Sequence, residues 1–444
     1  MDKKNLIKKE INSLILLYKS KRFSETIEKI KILSKKLDDV AFIFNLMGMA
    51  QINLNEFENS IESFKKAIKI DSTFAEAYNN LATSYINLGE FQKAIDKLKL
   101  AIDIKPDYSN AYNNLASAYS DLGDYENALI IFNKLLKINP KYPKIEENII
   151  KLLTFYNPKN YKLNEITQLD YLIKKIKLNH GKKEILDEDV IKIYKEADRL
   201  VSNKLDNLKY DFSQIWRRND TDLNCTRHFT IFRNFNVIPE YCFSCFKVQI
   251  EMGSITALFK LFLVFNDLNL NNNKSRKCLI ELRNIGKGTY KGIIYCTGYE
   301  EAKSIFKLIS DTLKSQIKDK GLNLELRRGC TEFGLAYPDY KDLNKPPKDF
   351  MKYNENWKDK ENVIDKNYPQ KNRINQRNLN DTLSQISLND FLVMKNWIMY
   401  AKKIGDENYK KFDENIVISE YIEKELASNL ISRISEFNKN KTSS

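Results

Sequence analysis

Apolar positions recur with helical spacing through the first third of the chain, and the pattern itself repeats. Three segments align at a period of 34 residues: AFIFNLMGMAQINLNEFENSIESFKKAIKIDSTF from Ala41, AEAYNNLATSYINLGEFQKAIDKLKLAIDIKPDY from Ala75, and SNAYNNLASAYSDLGDYENALIIFNKLLKINPKY from Ser109. A period of this length predicts stacked helix–turn–helix units in an all-α solenoid. In the middle copy, Tyr78, Leu81, Ala82 and Tyr85 make the apolar face of a first helix. Ala94, Leu98 and Ala101 make that of a second. The small residues let helices approach closely and the large ones fill the grooves between ridges. Gly89 and Gly123 fall in the turns, and Pro106 and Pro140 close the second helices. Residues 7–40 carry the pattern less regularly: Phe23 and Leu33 fit, but the Tyr and Gly positions do not. Three further amphipathic stretches between 143 and 206 predict helices that cover the end of the solenoid, which otherwise exposes apolar surface.

The pattern changes near residue 210. FKVQIE from Phe246 alternates as a strand and SITALFKLFLVFND reads as a helix. KCLIELR and KGIIYCTG read as strands, EEAKSIFKLISDTLKSQIKDK as an amphipathic helix, and LNLELRRG as a last strand. The order β-α-β-β-α-β predicts a ferredoxin-like α+β domain. Polar sequence with Pro346, Pro347 and Pro369 follows, then helical periodicity in SLNDFLVMKNWIMYAKKI and beyond. The predicted division is therefore repeats over 1–142, capping and linker helices over 143–209, the α+β domain over 210–345, a linker over 346–380 and C-terminal helices over 381–444.

Composition adds two facts. No apolar run approaches the roughly 20 residues that span a bilayer, and the N-terminal stretch mixes lysine into its apolar residues, so it reads as a helix rather than a signal peptide. A cytoplasmic location without membrane contact is the expectation. The net charge of +14 comes mostly from lysine, and a basic chain suits nucleic acid or acidic partners. Distribution says more than totals. All six cysteines, and eight of the thirteen arginines, fall between residues 210 and 345. Choosing arginine there indicates a need for its planar, bidentate donor fork.

The repeat resembles the tetratricopeptide repeat (TPR) family, clearly over about 100 residues and more loosely back to residue 7. The resemblance implies a concave groove lined by the first helix of each unit, with a protein or peptide held in it. Asn45, Asn79 and Asn113 share one position in consecutive repeats, and Thr83 and Ser117 lie one turn on. These five are the expected partner-binding residues, because a carboxamide offers both donor and acceptor to an extended peptide backbone. Asn80 and Asn114 beside them are expected to tie neighbouring helices together.

In the α+β domain, Cys225-x2-His228 is followed after thirteen residues by Cys242-x2-Cys245. Two close-spaced pairs across a short insert match a tetrahedral, structural zinc site. A closed four-ligand site leaves no position for substrate, so such zinc is a staple. An iron–sulfur cluster or simple packing of reduced thiols are the alternatives. Cys330, after Arg327 and Arg328, is a candidate nucleophile in a basic setting. The arginines have three readings: pairing with Glu251, Glu281, Glu325 and Glu332, binding an anionic ligand through Arg276, Arg283, Arg327 and Arg328, or tracking a nucleic-acid backbone. KGIIYCTG resembles the third strand of RNA-recognition motifs at Lys291, Gly292 and Tyr295, whereas Ile293 and Gly298 replace expected aromatics and leave the stacking platform incomplete.

Neither G-x-S-x-G nor G-x-G-x-x-G occurs, and the loop Asn284–Thr289 lies between strands and is no P-loop. With only His180 and His228, a Ser-His-Asp mechanism has little to draw on. The leading expectation is a protein–protein interaction scaffold with a zinc-stapled domain that binds an anion. The alternatives are a repeat-fused group-transfer enzyme acting on a bound protein with an anionic co-substrate, and an RNA-binding protein.

Overall fold

The computed structural model describes residues 3–177, 184–201, 208, 210–217, 223–270, 274–366 and 385–442. It divides into two compact units, one centred on residues 1–149 and the other made of 150–361 and 380–444.

The first unit is a stack of antiparallel helix pairs: α1 (Lys3–Lys19) with α2 (Phe23–Leu33), α3 (Ala41–Asn53) with α4 (Phe57–Ile70), α5 (Ala75–Asn87) with α6 (Phe91–Ile104), and α7 (Ser109–Leu122) with α8 (Tyr125–Ile138). The first helices α3, α5 and α7 lie side by side. Alanines at the contacts, among them Ala67, Ala94, Ala101, Ala111 and Ala118, are wholly buried and let backbones close on one another. Phe64, Leu81 and Leu98 fill the spaces between pairs.

The turn between the two helices of each pair takes a left-handed residue at one repeat position: Lys21 (φ +59°), Asn55 (+61°), Gly89 (+78°) and Gly123 (+85°). Residues 3–33 are therefore built as a further pair in register, although the sequence there lacks the glycine. Asparagine tolerates this conformation, but a lysine Cβ crowds the carbonyl that follows it, at about 1–2 kcal/mol.

Helix α9 (Ile145–Leu153) runs across the division at residue 149, and the second unit continues with α10 (Glu165–Lys174) and α11 (Asp187–Val201). A five-stranded sheet follows, with strands β1 (Gln214–Arg217), β2 (Cys245–Met252), β3 (Arg276–Ile280), β4 (Tyr290–Thr297) and β5 (Asn323–Arg328) in the order β1-β3-β4-β2-β5. Every neighbouring pair is antiparallel, with Phe246 opposite Cys296 and Arg328, and Cys278 opposite Gly292 and Ile215. Between β1 and β2 lies α12 (Cys225–Phe235), which is a helix where a metal-gripping turn was expected. Helices α13 (Ile255–Asp267) and α14 (Tyr299–Gln316) pack on the sheet. Gly292 meets α13 so closely that a Cβ there falls 2.6 Å from the Leu261 side chain.

Short helices α15 (Thr331–Ala336), α16 (Pro338–Lys341) and α17 (Lys358–Lys366) follow, then α18 (Leu388–Ile404), α19 (Glu420–Leu426) and α20 (Leu430–Thr442). The segment read as a linker is structured over 346–366, where Phe350, Met351 and Trp357 pack against aromatic neighbours. Its residues 367–380 lie outside the described residues. Helix α18 starts on a capping box between Ser387 and Asp390, and its Trp397 is fully buried with Nε1 donating to Ser213 O at 2.9 Å. Among the described residues no helix is long and apolar enough to cross a membrane.

Replacing Lys21 by Gly is expected to stabilise the protein by up to about 1 kcal/mol, while Gly89→Lys is expected to cost about 1–2 kcal/mol. Urea unfolding of the two variants checks both signs; a Lys21→Gly protein no more stable than the parent shows that the first turn carries no strain.

Candidate functional site

Each first helix presents a file of residues four apart: Asn45, Met49 and Asn53 on α3, Asn79, Thr83 and Asn87 on α5, and Asn113 and Ser117 on α7. The asparagine row is tied repeat to repeat. Asn80 Nδ2 donates to Asn45 Oδ1 at 3.0 Å, Asn114 Nδ2 to Asn79 Oδ1 at 2.9 Å and Asn148 Nδ2 to Asn113 Oδ1 at 3.3 Å. Asn45 and Asn79 are buried, each 5% exposed. Each of these three oxygens thus already accepts one hydrogen bond from an asparagine one period further along the chain. Thr83, Asn113 and Ser117 are half-buried, and the Thr83 hydroxyl donates back to Asn79 O at 3.1 Å. The next step of the α7 file is Asp121, an acid 7% exposed, whereas the other side chains named in these files carry no charge.

The second candidate is an open cleft in the other unit, where Cys225, His228, Cys242, Cys245, Lys247 and Cys330 are part of the lining. Cys225 is the first residue of α12, and His228 lies one turn on. Cys242 sits in the 3-10 turn Glu240–Phe243, and Cys245 opens β2. The sequence pairs are thus brought together, but through a helix and a turn rather than a hairpin. The His228 ring stacks on Tyr241 with centroids 5.2 Å apart and planes at 20°. Cys330, 85 residues beyond Cys245, also joins, and Lys247 Nζ donates to its Sγ at 3.4 Å. Burial pushes the Cys225 thiol up to about 11 and raises Cys242 and Cys245 as well, with neighbouring thiols adding to the effect on both. All six cysteines are free thiols. Among the described residues no three His, Cys, Asp or Glu side chains stand close enough together to hold a metal ion as they are.

The arginines singled out for an anion turn most of their donors on the chain itself. Arg276 is fully buried; Nε donates to Phe265 O at 2.7 Å and Nη2 to Leu268 O, so the guanidinium closes the C-terminal turn of α13. Arg327 Nη1 donates to Gln249 Oε1 at 2.9 Å. Arg328 donates to Phe243 O from Nε (3.1 Å) and Nη2 (2.9 Å) and to Met351 O from Nη1 (2.9 Å). Arg283 pairs with Glu281 at 2.9 Å and Glu332 at 3.1 Å. Glu281 also meets the buried Lys291 at 2.7 Å. Burial pushes the Glu281 carboxyl up, but hydrogen bonds and charge from Arg283 and Lys291 outweigh it and hold it at about 2. Tyr295, the position compared with RNA-recognition motifs, is 9% exposed and stacks on Trp216 of β1 at 5.6 Å and 13°. Arg218 and His180 lie outside the described residues.

The family-model matches fall within the first unit. A family model described as tetratricopeptide repeat matches residues 73–141, and a TPR repeat model matches residues 48–89. A crystal structure of MamA is 22% identical, covering 42% of this chain and 94% of its own at a TM-score of 0.30. The first TPR of Spaghetti (RPAP3), solved with the HSP90 peptide SRMEEVD, is 20% identical and covers 25% and 89% of the two chains at 0.25. The Arabidopsis OM64 TPR domain is 22% identical and covers 25% and 93% at 0.25. No curated protein matches the chain significantly.

Glu281→Gln leaves Lys291 charged and buried, and is expected to destabilise by about 3–5 kcal/mol at neutral pH. Since the folded carboxyl titrates near 2 against an ordinary 4.5, its stabilisation is complete above the ordinary value and is lost as pH falls toward the lower one. Urea midpoints at pH 7 and pH 3 test this: the parent is expected to lose more between the two than the variant does.

Proposed function

We propose that residues 41–142, which are tetratricopeptide repeats, hold a peptide or protein segment against the files of their first helices, so that the chain acts as an interaction scaffold. The observation that carries this reading is the family match over 48–141, joined to helices α3, α5 and α7 set side by side. The solved RPAP3 domain with its HSP90 peptide is a case of such repeats holding a short segment. The chemistry of this chain differs from a charge-reading site. Apart from the buried Asp121, its files present amides, hydroxyls and the Met49 thioether, which suit the backbone of an uncharged, extended segment rather than a cluster of carboxylates. Thr83, Asn113 and Ser117 are the residues left to meet the ligand, with Asn45 and Asn79 holding the register behind them.

The second unit is, in the same proposal, a ferredoxin-like β-α-β-β-α-β module stapled by a structural zinc. What supports the topology is the order β5-β2-β4-β3 among its last four strands. What supports the staple is that Cys225, His228, Cys242 and Cys245 line one cleft.

Selection of peptides from a displayed library on the full-length protein tests the groove. Thr83→Lys with Ser117→Lys is expected to weaken the selected peptides at least tenfold with unchanged circular dichroism. Binding by the parent is expected to vary little between low and high salt, because few charges are paired. Equal affinity in the double variant, or a steep loss of binding with salt, removes the neutral-groove reading.

A further inference from the structure

We infer that the cleft takes one zinc ion through four thiolates, those of Cys225, Cys242, Cys245 and Cys330, with Lys247 donating to the Cys330 sulfur and His228 outside the ligand set. This rests on the zinc-stapled reading of the second unit and replaces its histidine with a residue that follows the edge strand β5.

Three observations carry the exchange. First, Cys330 is delivered to the cleft by a fixed piece of backbone. Gly329 N donates to Cys245 O at 2.8 Å, which places the residue after Gly329 beside the start of β2. Gly329 itself has φ +58°, and a Cβ there falls 2.0 Å from the Tyr340 hydroxyl, so the turn that aims Cys330 requires glycine. Second, the turn carrying Cys242 and Cys245 is clamped to that same strand end. Arg328 donates twice to Phe243 O, at 3.1 and 2.9 Å, and the Tyr340 hydroxyl donates to Cys242 O at 2.6 Å. These are the outer contacts that hold a metal-gripping C-x2-C turn in place. Third, Lys247 projects from β2 and its ammonium lies 3.4 Å from Cys330 Sγ. A tetrathiolate zinc site carries net negative charge, and an ammonium donating to one sulfur offsets part of it. His228, by contrast, is 4% exposed and its ring lies against Tyr241.

Zinc prefers a closed set of four soft ligands where no open coordination position is needed. The donors line the cleft without yet converging. A change of χ1 rotamer re-aims each Sγ without moving the backbone. Each thiol gives up its proton to solvent as its sulfur binds, and no electron changes hands.

The test uses the full-length protein, purified without chelators, with metal content by mass spectrometry and zinc X-ray absorption to count sulfur neighbours. About one zinc per chain with an all-sulfur shell is expected. His228→Gln is expected to keep that zinc, and Cys330→Ser to lose it or to bind at least tenfold more weakly against a chromophoric chelator. Cys278→Ser, at a buried thiol that does not line the cleft, is the control for folding. If Cys330→Ser does not fold, the absorption spectrum of the parent alone separates four sulfurs from three sulfurs and one nitrogen. A three-sulfur, one-nitrogen shell, or zinc kept by Cys330→Ser and lost by His228→Gln, overturns the exchange and leaves the stapled reading standing. A parent protein without zinc, or with iron and acid-labile sulfide, overturns both.

Discussion

A polar side chain taken out of water has to be given a partner, and in this chain that requirement fixes most of what lies around it. Arg276, with no exposed surface, spends its fork on the orphan carbonyls at the end of α13. Arg217, also buried, donates to Asp390 at 3.2 and 2.9 Å and to Asn266 at 2.8 Å, joining β1, α13 and α18. Arg433 reaches back to Gly288 O and Asn284 O. A lysine at any of these places offers a point charge where two or three directed donors are needed. The switch from lysine to arginine between residues 210 and 345 thus answers an architectural need, that of closing helix ends and joining layers.

The same requirement works differently in the repeats. There the polar groups are two adjacent amides per repeat: Asn80 donates back to Asn45 of the repeat before, and Asn79 accepts from Asn114 of the repeat after. Such a ladder needs no charge and no special partner. It propagates with the period of the helices, and it fixes the offset of each repeat on the last. A stack held only by alanine and leucine contacts has less to stop neighbours from sliding, because dispersion is non-directional. Apart from Asp121 the files are left neutral.

Periodic features were legible because period is local information. Three copies at one spacing predict the helix pairs, and alternation predicts β2, β4 and β5 within a residue or two. The first helix pair was harder, since Lys21 takes a conformation that glycine marks elsewhere. The extra edge strand β1 is only Gln214–Arg217, too short to alternate visibly. Cys225 and His228 are three residues apart, and on α12 the imidazole stacks on Tyr241. Cys330 shares the cleft through a sheet register that no local pattern announces. Arginine identity correctly signalled a use for forks, but the sequence has no term for which way a side chain faces, so an interior role and a ligand role read alike.

The corner around the thiols is also where the chain has most to gain from a cross-link. The sheet and long helices hold themselves through regular hydrogen bonding, but residues 331–357 form only short helices and 3-10 turns. They are held by an aromatic cluster in which Phe243 meets Tyr340, Tyr353 and Trp357, and Phe333 meets Phe229 and Phe232. Aromatic burial is strong but tolerant of angle, so it brings these segments together without fixing their register. Directed bonds from Arg328 and Tyr340 supply some of that precision. The ion proposed above would supply the rest, gripping one residue from α12, two from the 3-10 turn and the start of β2, and one from the turn that follows β5, and so joining those elements at one point with short, directional bonds.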